Sequence, residues 1–161
     1  VVGQGGLGSP ATQLMRAVRR HGTAVRVRGY KMTSQSYDER AKQTLDGIWT
    51  GLSENIAEII DLPPESARAA TRWLLSLACE SQHARNIILG RKYLAGIPRQ
   101  WLVERIEPWA QFLLDANDEW EYRRLLELYS ILDEGLTGRL IEFGKVSANA
   151  DIRAAALEWA D

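Results

Sequence analysis

The residues of this chain that could do chemistry are few, and their spacing favours neither a catalytic nor a metal site. The two histidines, His21 and His83, have no Cys, His or carboxylate at ligand spacing on a shared helical face, which argues against zinc. No G-x-S-x-G turn places a serine where a base would activate it. Cys79 lies in an apolar stretch and is interpreted as a core residue rather than a reactive thiol. We therefore predict no catalytic residue, no metal site and no bound cofactor.

The start of the chain carries three glycines, Gly3, Gly5 and Gly8, at the spacing G-x-G-x-x-G. With the Ser-Pro pair that follows, it resembles the dinucleotide- or ATP-binding turn of Rossmann-type enzymes. The resemblance implies a pyrophosphate held at a helix N-terminus, and Arg28 implies NADP. However, only two residues precede Gly3, and no strand pattern follows Arg28 to build a sheet. The glycines are equally typical of a leader or a loop, so a nucleotide-binding role is left open.

Basic residues are concentrated at the start of the chain. Residues 1–37 hold six basic residues and no acid, a charge of +6; since the whole chain is −1, residues 38–161 carry −7. Such a segment either contacts nucleic acid or another anionic partner, or folds back onto the acidic remainder. Contacts of this kind with nucleic acid would be made to phosphates and would carry no base information. The candidate residues are Arg16, Arg19, Arg20, Arg26, Arg28 and Lys31.

Apolar residues recur every three to four positions from residue 37 onward, which predicts an all-α domain over residues 37–161. Residues 1–36 are treated as a separate basic, glycine-containing segment. The connections are short, so consecutive helices are expected to pack on one another. The predicted helices are 37–61, 64–80, 83–95, one beginning at Pro98, one behind Asp118 that ends near Gly135, 136–146 and 150–160.

Several positions in these helices carry specific expectations. The pattern places Trp49 and Ile60 on the buried face of the first helix, and Ala84 and Ile88 on that of the third. Gly47 and Gly51 mark either a bend or a close approach of another helix. Pro108 is expected to kink or split the fourth helix. The helix behind Asp118 is expected to bury Tyr122, Leu125, Leu126, Tyr129 and Leu132.

The C-terminal helices resemble HEAT-type helical repeats over about residues 64–161. The resemblance lies in an acidic residue, an apolar residue, an Arg and an Ala-rich run, as in Asp151-Ile152-Arg153-Ala154-Ala155-Ala156-Leu157. The matched arginines 68, 85, 123 and 153 do not recur at a fixed interval, whereas a regular array repeats every ~30–47 residues. The resemblance implies an α-solenoid of antiparallel helix pairs used as a binding scaffold. An irregular helical bundle remains the alternative.

Tryptophans near predicted helix starts are the candidates for a partner-binding surface. Trp101 and Trp120 fall off the predicted buried stripes, beside Arg99 and Arg123, and exposed Trp and Arg side chains are typical hot spots. We therefore favour a non-enzymatic helical domain that binds a protein or peptide through one face. The alternatives are a nucleic-acid-binding protein that uses the basic segment and an enzyme fragment with a dinucleotide turn. No apolar run reaches the ~20 residues of a membrane span, so we expect a cytoplasmic protein with no membrane contact; the oligomeric state stays undecided.

Overall fold

A computed structural model describes residues 36–160, and within that range every regular element is a helix. The all-α prediction is thereby confirmed for this part of the chain. The predictions for residues 1–35, including the glycine-rich turn and the six basic residues, lie outside the described residues. The elements are α1 (Tyr37–Ile48), a 3₁₀ helix (Ile56–Asp61), α2 (Pro64–Ala78), α3 (Ala84–Ala95), α4 (Arg99–Val103), α5 (Ile106–Asp115), α6 (Glu119–Leu132), α7 (Glu134–Lys145) and α8 (Ala150–Glu158).

The first predicted helix is wrong beyond Ile48, where α1 ends. Gly51 adopts φ +84°, which a side chain would disfavour, and the chain turns there. The Asp46 carboxylate closes the turn by accepting hydrogen bonds from the Ser53 amide and hydroxyl, both at 2.9 Å. Because a turn and a 3₁₀ helix replace the continuous helix, Trp49 and Ile60 are exposed instead of buried.

Helices α2 and α3 cross closely at Gly90. A Cβ at this position would lie 2.6 Å from the Ala78 amide nitrogen and 2.8 Å from the Leu74 carbonyl oxygen. Only glycine permits this approach of two backbones. The contact turns α3 so that its Gly90 side faces α2, and Ala84 and Ile88, which the pattern places inside, are exposed.

The predicted break in the fourth helix is confirmed, and it lies just before Pro108. Helix α4 ends at Val103 and α5 begins at Ile106, so Pro108 occupies the first turn of α5. A proline is tolerated there because the amides of a first helical turn have no intrahelical acceptor. The break allows Trp101 of α4 to pack edge-on against Trp109 of α5, with ring centroids 5.6 Å apart.

Side-chain hydrogen bonds between distant described residues show a regular spacing. Apart from Tyr122 to Leu140, all of them join residues 32 to 36 positions apart. Arg91 reaches Glu127 and Arg99 reaches Leu132, so segment 91–99 runs parallel to segment 124–132. Asn149 reaches Asn117 and Arg123 reaches Glu158, so α8 likewise runs parallel to α6. Segment 91–99, which ends α3 and begins α4, is therefore followed about 33 residues later by the parallel α6, and α6 is followed by the parallel α8.

The core lies around helices α2 and α6. Helix α2 contacts α1, α3, α5 and α6, while α6 also contacts α5, α7 and α8. The predicted buried stripe of α6 is confirmed at all five positions, and Cys79 is fully buried beside it in the same core. The domain is thus a helical bundle in which α2 and α6 are the central elements.

Candidate functional site

Two of the four predicted partner-binding residues hold helices together. Trp101 is half-buried against the core, and the Arg105 guanidinium lies 4.9 Å from its ring centroid. Arg99 donates from Nε to the Leu132 carbonyl oxygen at 2.5 Å. That oxygen belongs to the end of α6, where carbonyls have no intrahelical partner, so Arg99 caps the helix.

The other two residues lie near the start of α6, and they differ in availability. Trp120 is 56 % exposed in the first turn, where the Asp118 carboxylate accepts from its backbone amide at 2.8 Å. Arg123 donates to Glu158 at 2.6 Å and to Glu119 at 2.6 Å, and these hydrogen bonds raise its pKa. Arg123 therefore joins α6 to α8. Of the two predicted tryptophans, Trp120 is the one whose ring is mainly exposed to solvent.

Trp120 begins an outward stripe along α6 that the sequence pattern did not single out. The stripe, here called the α6 stripe, consists of Trp120, Arg124, Glu127 and Ile131, spaced by four, three and four residues, so that they share one side of the helix. Ile131 at its far end is 70 % exposed. Eleven residues of helix separate the two apolar ends by about 16 Å. Nothing in the sequence pattern indicated this stripe. An apolar residue such as Ile131 indicates a binding surface only when it is known to be exposed, and its exposure depends on how α6 packs against its neighbours.

A partly buried ion cluster occupies the middle of the α6 stripe. Glu127 accepts from Arg91 of α3 at 2.6 Å and from Arg124 at 2.9 Å. Burial raises the pKa of Glu127, but the hydrogen bonds from Arg91 and Arg124 outweigh it and hold the pKa below its usual value. Glu127 is therefore a carboxylate at neutral pH, and the three side chains fix α3 against α6.

A groove lies on another side of the domain, between α5 and α7 with α6 beneath it. It encloses a cavity of about 290 Å³. Its apolar walls are Pro108, Leu114, Leu140 and the partly exposed Phe143. One end is bridged by Arg139, which donates to both carboxylate oxygens of Glu107 at 2.9 and 3.0 Å. The lining of this α5–α7 groove is half apolar and half polar, since Glu107, Gln111, Tyr129 and Arg139 complete it.

Tyr129 of α6 lines the α5–α7 groove and is only 3 % exposed. Burial raises the pKa of Tyr129, and the nearby Glu107 carboxylate raises it further. The other buried tyrosine, Tyr122, donates to the Leu140 carbonyl oxygen at 3.0 Å. At neutral pH Tyr129 is therefore a neutral phenol in the lining of the groove.

Three acids lie at the ends of α5, α6 and α8. Asp115 ends α5 and accepts from the Gln111 side-chain amide at 3.0 Å, Asp118 caps α6, and Asp151 lies in the first turn of α8. A hydrogen bond from Asn149 to the Asn117 carbonyl oxygen at 3.1 Å ties the starts of α8 and α6 together. Within residues 36–160 none of these three carboxylates has an ion-pair partner within 4 Å.

The remaining reactive side chains of the described range do not form a site. Burial raises the pKa of the Cys79 thiol to about 12, so the thiol is protonated and inert at neutral pH. His83 is exposed, 3.7 Å from Glu80. Across residues 36–160 no group of three or more His, Cys, Asp or Glu side chains is arranged to hold a metal ion.

Comparison with known proteins identifies no relative. No protein-family model, no curated protein sequence and no solved structure matches this chain. Among the helices of the described residues, none has the length and apolar character needed to cross a membrane.

Proposed function

We propose that this protein is a non-enzymatic, HEAT-like helical domain that binds a protein or peptide partner through the α6 stripe. The observation that carries the proposal is the exposure of Trp120, a large ring left 56 % accessible in the first turn of a central helix. Tryptophan is the residue type most enriched at binding hot spots. Its backbone is fixed by the Asp118 cap, so the ring is presented from a rigid base.

The spacing of distant contacts supports the solenoid part of the proposal. Helix pairs that stack in register bring each residue beside one a repeat length further along the chain. The observed separations of 32 to 36 residues fall within the ~30–47 expected for repeats built of helix pairs. On this interpretation α3, α6 and α8 form one row, and the α6 stripe lies in the middle of it.

The chemistry of the α6 stripe fits a protein interface. Two exposed apolar side chains, Trp120 and Ile131, flank the Arg91–Glu127–Arg124 cluster about 16 Å apart. A peptide or helix laid along the stripe would bury both apolar groups. Its polar groups would meet arginines whose positions are already set by Glu127, so that little side-chain entropy is lost on binding.

The test compares two tryptophan substitutions in the tagged full chain. Partners are captured from the native host and identified, and their affinity is measured with purified components. Trp120→Ala is expected to weaken binding by tenfold or more, the usual loss at a hot spot. Trp49→Ala removes a ring that is 44 % exposed near the end of α1 and serves as the matched control, with affinity unchanged. Circular dichroism and thermal melting confirm that both variants fold.

Two results would contradict the proposal. If Trp120→Ala retains the partner with the affinity of the unmodified chain, the α6 stripe is not the interface. If the chain instead binds random duplex DNA at low salt, and the binding falls steeply with added salt, the alternative based on the six basic residues near the N-terminus is supported.

A further inference from the structure

We propose that the segment which binds the α6 stripe is an acidic amphipathic helix of a partner protein, with carboxylates that bind Arg91 and Arg124 between two apolar anchors. This partner chemistry rests on the proposed function, because it concerns the same surface. Three features carry it: the charge of the ion cluster, the hydrogen-bond donors that the cluster leaves unused, and the exposed apolar residues at its two ends.

The ion cluster in the middle of the α6 stripe has one positive charge in excess. Arg91 and Arg124 share the single carboxylate of Glu127. Since the pKa of Glu127 is held below its usual value, the three side chains together carry two positive charges and one negative charge at neutral pH. A segment that brings carboxylates to this centre complements the excess charge, whereas a basic segment is repelled by it.

The same cluster has hydrogen-bond donors without acceptors. The Nε atoms of Arg91 and Arg124 are both buried, and neither forms a hydrogen bond. Arg124 bonds Glu127 through Nη1 alone, so the edge of its guanidinium formed by Nε and Nη2 has no acceptor among the described residues. An arginine edge of this kind binds a carboxylate through two parallel hydrogen bonds. The Arg124 side chain is 31 % exposed, so a partner can reach it, and a second carboxylate recovers the cost of the unpaired donors.

Exposed apolar side chains lie at both ends of the cluster. Trp120 precedes Arg124 by four residues, so the two share a side of α6. Ile88 likewise precedes Arg91 by three residues on α3. Because the end of α3 runs parallel to α6, Ile88 and Trp120 lie at the same end of the cluster, where they are 67 % and 56 % exposed. Ile131, 70 % exposed, lies at the other end.

The distance between the two apolar ends fits a helix as the bound segment. Eleven residues of helix complete about three turns and span about 16 Å, so apolar residues eleven positions apart on a partner helix lie on one side of it and match Trp120 and Ile131. Residues four and seven positions after the first anchor share that side. Glutamates at these two positions would therefore lie opposite Arg91 and Arg124.

Three blocked helical peptides test this chemistry on the full chain. Each has two leucines eleven positions apart, and they differ only at the fourth and seventh positions after the first leucine, which are glutamate, glutamine or lysine. No further acid is placed beside the first leucine, because the first turn of α6 is itself acidic. Binding is followed by NMR of labelled isoleucine methyl groups. The Ile88 and Ile131 signals are expected to shift, while that of Ile60, exposed on the 3₁₀ helix, stays in place.

The glutamate peptide is expected to bind about three- to tenfold more tightly than the glutamine peptide, the usual effect of a hydrogen bond to a charged group that is partly exposed. The lysine peptide is expected to bind most weakly, and the differences should shrink as salt is added. A non-specific charge effect would give the opposite order, because residues 38–161 carry a charge of −7 and attract lysine.

Three variants of the full chain assign the preference to the cluster. Arg124→Glu is expected to reverse the order, so that the lysine peptide binds most tightly, and such a gain of affinity cannot result from misfolding. Arg68→Glu makes the same charge change at an exposed ion pair on α2 and is the matched control, with the order unchanged. Trp120→Ala is expected to weaken all three peptides alike.

Several outcomes would overturn the acidic assignment. They are equal affinity of the three peptides, no binding of any of them, an order that survives in Arg124→Glu, or shifts confined to isoleucines other than Ile88 and Ile131. If Trp120→Ala nevertheless loses the partner captured from the host, the proposed function stands and only the partner chemistry is wrong. A dimer of the unmodified chain that Arg124→Glu dissociates would assign the surface to a second copy of this chain instead.

Discussion

Replacing Gly144 with alanine tests the tightest contact among α6, α7 and α8. The new Cβ would overlap the Tyr122 hydroxyl oxygen, and it would lie 2.6 Å from Tyr122 Cζ and 2.7 Å from the Ala156 Cβ. All three neighbours are fixed. Tyr122 and Ala156 are buried in the core, and the Tyr122 hydroxyl is bonded to the Leu140 carbonyl oxygen of α7 itself. The alanine can be accommodated only if α7 moves away from α6 and α8, or if Tyr122 leaves its position.

The magnitude follows from three contributions. Alanine in place of glycine in a helix stabilises by up to about 1 kcal/mol. Overpacking a core costs about 1–3 kcal/mol. Displacing Tyr122 leaves its buried hydroxyl without an acceptor, which costs a further ~1–3 kcal/mol. We expect Gly144→Ala to lower the free energy of unfolding by about 3 kcal/mol, which in a domain of this size corresponds to a melting temperature about 10 °C lower.

A matched control exists on the same helix. Gly138 has no atom within 4 Å of the Cβ it would carry, so Gly138→Ala meets no obstacle. Its helix propensity should therefore raise the free energy of unfolding by about 0.5–1 kcal/mol. Urea unfolding followed by circular dichroism measures both variants. If Gly144→Ala is as stable as the unmodified chain, or is stabilised to the same extent as Gly138→Ala, the packing of Tyr122 against α7 is wrong.

Two further predictions concern the close crossing of α2 and α3 and the ionisable groups buried in the core. Gly90→Ala is expected to lower the free energy of unfolding by about 2 kcal/mol or more. The reason is that its Cβ would meet backbone atoms of Ala78 and Leu74, which cannot rotate away. An unchanged urea midpoint would exclude the close crossing of α2 and α3. Burial raises the pKa values of Cys79 and Tyr122 to about 12 each, so above about pH 9 the folded chain keeps protons that the unfolded chain releases. The free energy of unfolding should therefore fall as the pH rises from 9 to 12, by on the order of 1.4 kcal/mol per pH unit for one thiol. A flat profile in urea titrations from pH 8 to 11 would refute the burial of these groups.

Local chemistry was sufficient to predict most of the helices. The apolar residues of α6 from Tyr122 to Leu132 recur regularly over three turns, and each residue predicted to be buried there is buried. Asp118 was expected to begin this helix, and its carboxylate caps the Trp120 and Glu121 amides. Pro64 and Pro98 mark helix starts because proline is accepted only in or next to a first turn. These signals act over a few residues, so a single sequence contains them.

Apolar periodicity did not predict which residues are buried, or where a helix ends, when contacts with other segments decided it. Ile88 fits the apolar stripe of α3, but the close approach at Gly90 turns another side of α3 towards α2 and leaves Ile88 67 % exposed. The apolar pattern runs on past Ile48, yet the Asp46–Ser53 hydrogen bonds and the positive φ of Gly51 turn the chain there. In both cases a contact outside the helix outweighed its own pattern.

The sequence by itself determined that the described part of the chain is helical, where most of its helices begin, and which side of α6 is buried, because propensity, capping and amphipathic spacing are local properties. Only the tertiary structure decided that residues about 33 positions apart lie side by side, that Trp101 packs on Trp109 while Trp120 stays exposed, and that the Tyr122 hydroxyl donates to the Leu140 carbonyl oxygen. The physical reason is that the exposure of a side chain and the partners of a hydroxyl depend on which helices pack around it, and that packing is settled by the whole core at once.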